Sequence, residues 1–229
     1  MTTQLPLAAD RSRTTRVYEA IRGDILAGRV PPGSRLGFAG LVETYESSIG
    51  AIREALNRLL EQGLVTTEPK RGFRVMAIST DDLRDLTTAR CEIEVLALRY
   101  AVRQGDTQWE ANVIAAHHML ERADQFEPRD PRRFGDEWVA AHTRFHEALL
   151  GGCRNTRILS CATTLRDSAE LYRMWSAPQH DRSRDIEGEH RDIMAAAVGR
   201  DEAHAAELLT RHIQRTTDAL LVGQQNASG

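Results

Sequence analysis

Apolar residues recur at helical spacing through the first quarter of the chain. Val17, Ile21, Ile25 and Leu26 share one face, which predicts a helix over about residues 14 to 27, and Pro31-Pro32-Gly33 forbids its continuation. Phe38, Leu41, Val42 and Tyr45 mark a short second helix. Ser48 is an N-cap candidate for a third, which carries Ile52, Ala55, Leu56, Leu59 and Leu60, with Gly63 at its C-terminal end. Then the period changes from 3.6 to 2. Leu64-Val65-Thr66-Thr67 and Phe73-Arg74-Val75-Met76 read as two short strands joined by a tight basic turn at Pro69-Lys70-Arg71-Gly72.

Helix, short helix, helix and hairpin, over residues 10 to 78, is the order of a winged helix-turn-helix. From Ser79 to residue 222 the pattern is helical only. Ser79 or Thr80 with Asp81-Asp82 caps a helix to about Gln104, striped by Leu83, Leu86, Ile93, Leu96, Ala97 and Tyr100. A helix over about 106 to 126 follows, with Trp109, Val113, Ile114, Ala116 and Leu120. After a loop at 127 to 131 come helices near 134 to 151, 155 to 175, 182 to 199 and 201 to 221. The expected fold is therefore mainly α: a winged helix-turn-helix with a small β hairpin, then an all-α antiparallel bundle of six helices. About ten residues at the start, and those after Gly223, read as tails.

Composition narrows the setting. No apolar run among the 229 residues approaches the roughly 20 needed to span a bilayer, and Met1 to Asp10 lack the features of a secretory signal, so a cytoplasmic protein without a membrane partner is expected. Cys91, Cys153 and Cys161 form no CxxC pair and are read as reduced and packed. The net charge of -3 is unevenly spread: residues 1 to 78 hold 11 Lys and Arg against 8 Asp and Glu, and the remainder holds 19 against 25. A basic head on an acidic body suits a partner that is double-stranded DNA, with only the head touching phosphate.

The strings Val17-Tyr18-Glu19-Ala20-Ile21-Arg22, Pro31-Pro32-Gly33-Ser34-Arg35-Leu36, Ile52-Arg53-Glu54-Ala55-Leu56, Gly63-Leu64-Val65 and Pro69-Lys70-Arg71-Gly72-Phe73 resemble the N-terminal domain of GntR regulators, over almost all of residues 14 to 76. The resemblance implies a sequence-specific regulator, more often a repressor, bound to its operator as a homodimer. Ser48, Arg53, Arg71 and Gly72 match DNA-contacting positions. The recognition helix departs from the family at Ile49-Gly50-Ala51, where a base-reading Arg, a Thr and a Pro or Thr are usual; Ile49 is left as a candidate contact to a thymine methyl.

The second half holds histidines at informative intervals. His142 and His146 lie at i and i+4 on one helix face, and His190 and His212 flank the turn near Gly199 at similar distances, so two antiparallel helices bring them to one level. Together with Phe145-His146-Glu147-Ala148-Leu149, Asn155 and Glu189-His190-Arg191-Asp192-Ile193, this constellation resembles the FCD effector domain of the FadR branch, in a six-helix layout like that of the VanR type. There an Asp and three His hold a divalent metal, and the Asp position is His142 here; a four-His site favours Zn, Ni or Co. The resemblance also implies a small carboxylate effector held beside the metal by Arg90, with Glu94 as an acidic neighbour. Tyr172, Arg173 and Trp175 are candidates to line the same pocket, whereas His117, His118, His180 and His204 read as surface or packing residues.

Two other readings of the histidines stay open. The ion itself could be the signal, as in a metal sensor, or an open coordination position could make the bundle a metal-dependent enzyme. The second is disfavoured, because no HExxH motif is present and an enzyme needs no DNA-reading domain.

Overall fold

A computed structural model of the chain describes residues 7–68, 72–77, 79–176 and 184–227, in two compact units that divide after Ile78. In the first unit, α1 (Leu7–Leu26) packs on α3 (Ile49–Glu61), with α2 (Phe38–Thr44) beside it. Ile21, Ile25, Ile52, Leu56, Leu59 and Leu64 are fully buried between them. At roughly 1.5 to 3 kcal/mol for each such side chain, these six contribute on the order of 9 to 18 kcal/mol to holding the unit together. Helix α1 begins a full two turns before the expected Thr14. The residues added, from Leu7, include good helix formers such as Ala8 and Ala9, so propensity extends the helix beyond the stretch that periodicity reveals.

The hairpin is present as β2 (Val65–Glu68) and β3 (Gly72–Val75), paired antiparallel with Thr66 opposite Arg74. A third strand, β1 (Arg35–Leu36), pairs with the other edge of β3, giving the order β1-β3-β2. This strand was not expected from the sequence. It forms because Gly33, at φ +73°, turns the chain after Pro31-Pro32 so that the Gly33 amide donates to the Val75 carbonyl and the Val75 amide to Ser34.

The second unit contains α4 (Thr80–Gln104), α5 (Thr107–Glu121), α6 (Asp136–Leu150), α7 (Thr156–Ser176), α8 (Ile186–Val198) and α9 (Glu202–Ala227). Helix α4 is central and touches α6, α7 and α9, while α5 lies against α6 and α8. Side-chain caps set several starts: Ser79 accepts from the Asp82 amide, Asp106 from Trp109 and Asp185 from Gly188. The turn between α6 and α7 approaches the end of α4 so closely that a Cβ on Gly152 would lie 2.7 Å from the Ala101 carbonyl, so only glycine fits.

Three features of this unit depart from expectation. Helix α5 stops at Glu121, and the segment expected to be helix end and loop forms a hairpin of β4 (Phe126–Glu127) and β5 (Asp130–Phe134), so the bundle is not purely helical. The hairpin is held by tertiary stacking, Phe126 on Phe134 at 5.3 Å and Phe134 on Trp138 at 5.1 Å between ring centroids. Helix α9 continues through Gly223 to Ala227, since one helical glycine costs only about 1 kcal/mol. Within the expected apolar stripes, Leu96 and Ile114 are exposed, and of the three free cysteines only Cys153 is buried, with Cys161 exposed. No helix among the described residues is long and apolar enough to cross a membrane.

Candidate functional site

At the start of α3 the Ser48 hydroxyl accepts from the Ala51 amide at 3.2 Å, which leaves its own O–H free to donate to a phosphate. Ile49, next along, is 56% exposed although it is a large apolar residue, and Arg53 is exposed one turn further. The Arg53 guanidinium lies 4.9 Å from the Phe38 ring centroid, a cation–π contact that fixes the side chain against the helix pair. Gly72 takes φ +82°, a backbone conformation that side chains rarely adopt, at the wing. Arg71 lies outside the described residues. Arg74, at the wing base, is used internally, donating to the Gly33 carbonyl and facing Glu68.

The second unit gathers the four histidines. His142 and His146 from α6, His190 from α8 and His212 from α9 are all buried, and one ligand nitrogen of each lies within 4.8 Å of those of the others. Tetrahedral coordination with bonds near 2.05 Å sets nitrogens about 3.4 Å apart, so ring rotations of the order of 1 Å would close the set around an ion. Nε2 of His146 and Nε2 of His190 are buried without a hydrogen-bond partner. An orphaned buried nitrogen costs about 1 to 3 kcal/mol, which an ion would remove, so the donor set fits a divalent metal.

Electrostatics leave these rings able to act as ligands. Burial holds the pKa of His142, His146 and His190 well below the ordinary 6.5, and neighbouring rings and arginines add to the effect; His212 is also lowered, chiefly by burial. Neutral imidazoles with available lone pairs result. The His212 ring is oriented from behind, with Nδ1 2.8 Å from Glu189 Oε2. Burial tends to raise the Glu189 pKa, but hydrogen bonds from Arg184 and His212 outweigh it and hold the carboxyl ionised. The sequence reading missed Glu189 and Arg184; the first adjoins His190, and only the fold shows that it reaches the next helix.

A narrow cavity of about 40 Å³, room for a few water-sized groups, opens on the cluster. His142, His146 and His212 line it together with Arg90, Arg166, Arg173 and Arg184, and Glu170 is its one carboxylate among the described residues. Each guanidinium is tied to a carboxylate that fixes its direction. Arg90 Nε lies 2.5 Å from Glu94 Oε1, Arg166 reaches Glu147 at 3.2 Å, Arg173 pairs with Glu170 and stacks over Phe134 and Trp138, and Arg184 pairs with Glu189. Thr87 and Thr217 share a hydrogen bond at the wall. Arg166 was missed although it precedes Arg173 by seven residues, two turns along the same face of α7.

Tyr172 does not line this cavity, which corrects the expectation for it. Its hydroxyl donates to Asp82 Oδ2 at 2.5 Å and accepts from the Ser79 amide, so it fastens α7 to the N-terminus of α4. The side chain of Trp175 lies outside those described, as does His180. Asn155 caps α7 by accepting from the Arg157 and Ile158 amides. His117 is buried, and His118 and His204 are exposed.

Comparison with known proteins matches both units. A family model described as bacterial regulatory proteins, gntR family, covers residues 13–75, and one described as FCD domain covers residues 85–215. The chain is 37% identical over 210 residues to the "Uncharacterized HTH-type transcriptional regulator BphR" of Paraburkholderia xenovorans, spanning 92% of this chain and 86% of that one. It is 31% identical over 200 residues to the HTH-type transcriptional repressor GlaR of Escherichia coli, spanning 86% and 90%. Among solved structures, Escherichia coli McbR/YncC superposes with a TM-score of 0.77 over 93% of this chain and 98% of that one, at 20% identity, a likeness of fold.

Proposed function

This chain belongs to the GntR family of bacterial regulatory proteins and carries an FCD domain, so it is a transcriptional regulator and not an enzyme, and we propose that it is a carboxylate-responsive repressor. The observation that carries this reading is the meeting of two donor sets: a cluster of four buried neutral imidazoles, three of which line the cavity, and the four fixed guanidinium groups that line it with them. His142, His146, His190 and His212 hold a divalent ion, with Zn, Ni or Co suited to an all-nitrogen set. Bound there, the ion supplies a positive contact for a carboxylate oxygen. Arg90 and Arg173 clamp the remainder of the anion, where planar guanidinium forks match carboxylate geometry. The arginines favour an organic acid over the ion itself as the signal, because a cation alone gains nothing from them.

Acting in the cytoplasm, two copies of the chain form a homodimer that sets two copies of α3 about one DNA turn apart on a pseudo-palindromic operator. Ser48, Arg53, Arg71 and Gly72 contact the backbone and minor groove, and Ile49 touches a thymine methyl. Carboxylate binding changes operator affinity by a coupling of roughly 1 to 3 kcal/mol, about 5- to 150-fold. The test is an electrophoretic shift with upstream DNA and zinc-loaded protein across a panel of small mono-, di- and tricarboxylates. A complex that competitor DNA of unrelated sequence removes as readily as operator DNA defeats the operator claim. Affinity indifferent to every acid in the panel defeats the effector claim.

A further inference from the structure

The histidine cluster is bordered by a second cavity, on the side where α5 meets α8, and its lining is acidic. It measures about 260 Å³, and its lining includes His117, Glu121, Asp124, Gln125, Glu187 and the cluster's own His190. Trp138 and Ile186 line both cavities, so the two share a wall at those side chains. The four arginines of the first cavity are each paired with a carboxylate, and the second presents, among the described residues, three carboxylates with no Lys or Arg in its lining. Arg191, at the rim, bridges Glu121 and Glu187 at 3.3 and 2.6 Å and neutralises them only in part.

A buried nitrogen lines the same cavity. His117 is 4% exposed, its Nε2 has no hydrogen-bond partner, and its Nδ1 is 3.6 Å from Glu121 Oε2. Its ring and that of His190 both pack edge-on against Phe145, with centroids at 5.5 and 5.2 Å, so the two imidazoles flank one aromatic ring. Nε2 of His190 is likewise unpartnered.

We propose that this acidic cavity is the port through which the divalent cation reaches the four-histidine cluster, with His117 as the first imidazole the ion meets. The physical case is one of sign. A dication approaching through the arginine cavity passes four guanidiniums whose carboxylate partners only balance them and so is not drawn in, whereas an excess of carboxylates at the mouth of a cleft raises local cation concentration and on-rates by about 10- to 1000-fold. The two ligands of the domain then have separate doors, cation on the α5/α8 side and carboxylate on the arginine side, and an anion already bound does not block metal entry. The proposal rests on the metal reading given above.

Stopped-flow measurement of Zn²⁺ uptake by metal-free full-length protein, in competition with a chromophoric chelator at low ionic strength, tests it. The triple variant Glu121→Gln/Asp124→Asn/Glu187→Gln is expected to bind the same one ion per chain at least tenfold more slowly, with a weaker salt dependence. His117→Gln is expected to slow uptake while keeping the endpoint. A control with the same change of charge elsewhere, Glu54→Gln/Glu61→Gln/Glu207→Gln, is expected to match wild type. Full stoichiometry with unchanged rates in both port variants overturns the port and leaves the metal site standing. Slowing of the control to the same extent overturns it as well, by tracing the effect to net charge. Wild type that takes up no zinc overturns port and metal reading together.

Discussion

Replacing Arg90 by Met strands the carboxylate of Glu94 inside the bundle. Glu94 is 0% exposed, and its Oε1 accepts from Arg90 Nε at 2.5 Å with a second, longer contact from Arg90 Nη2. An exposed pair on a helix is worth only a few tenths of a kcal/mol. A buried pair behaves differently: its formation roughly balances desolvation, but removing one partner leaves an uncompensated charge and costs about 3 to 5 kcal/mol. Arg90→Met should therefore destabilise the second unit by about that amount, a large part of a typical domain's margin of about 5 to 15 kcal/mol. The double variant Arg90→Met/Glu94→Met, which removes both charges, should recover most of the loss. The assay is urea unfolding of the four members of the cycle, followed by far-ultraviolet circular dichroism, with carboxylate binding measured alongside by calorimetry. Recovery of stability in the double variant without recovery of binding would separate the two roles of Arg90. A loss below about 1 kcal/mol in Arg90→Met would refute the reasoning, since Glu94 would then have found other solvation.

Acid should weaken the metal-free protein in a defined window. The folded pKa of His142, His146, His190 and His212 lies below the unfolded value near 6.5, so the unfolded chain binds more protons as pH falls. Stability should be level above about pH 7.5 and decline below about 6.5, by up to about 1.4 kcal/mol per pH unit for each histidine; a pH-independent midpoint of thermal unfolding between 5 and 7.5 would contradict this. Arg53→Ala should weaken binding to operator and unrelated DNA alike and reduce the slope of log affinity against log salt by about 1, whereas loss confined to the operator would make Arg53 a base reader. Gly72→Ala forces a side chain into φ +82° at the wing, costing about 1 kcal/mol locally, and should lower operator affinity without altering metal content. Unaltered affinity would remove the wing from the interface.

Long amphipathic elements were legible in the sequence, because burial of one face imposes a period that can be counted. The caps at Ser48 and Ser79 and the convergence of His142, His146, His190 and His212 followed from spacing and from the family resemblance. What was not legible depends on partners distant in the chain. The two-residue strand β1 and the β4–β5 hairpin owe their existence to pairing and aromatic stacking rather than to local propensity. Tyr172 sits on α7 at a position that periodicity places inside, and only the arrangement of helices shows that its hydroxyl goes to Asp82 instead of the cavity. Arg166, Arg184 and Glu189 resemble any solvated helix charge until the helices that bury them are in place.

Elemental analysis of purified, untagged protein, wild type beside His146→Ala and His190→Ala, bears most directly on the four-histidine centre. About one Zn, Ni or Co per chain in the wild type, lost in both variants while circular dichroism and operator binding without effector persist, is the expected result. Wild type that holds no metal even after reconstitution with each ion would contradict it, leaving the DNA-reading head intact and the four buried imidazoles without their ligand.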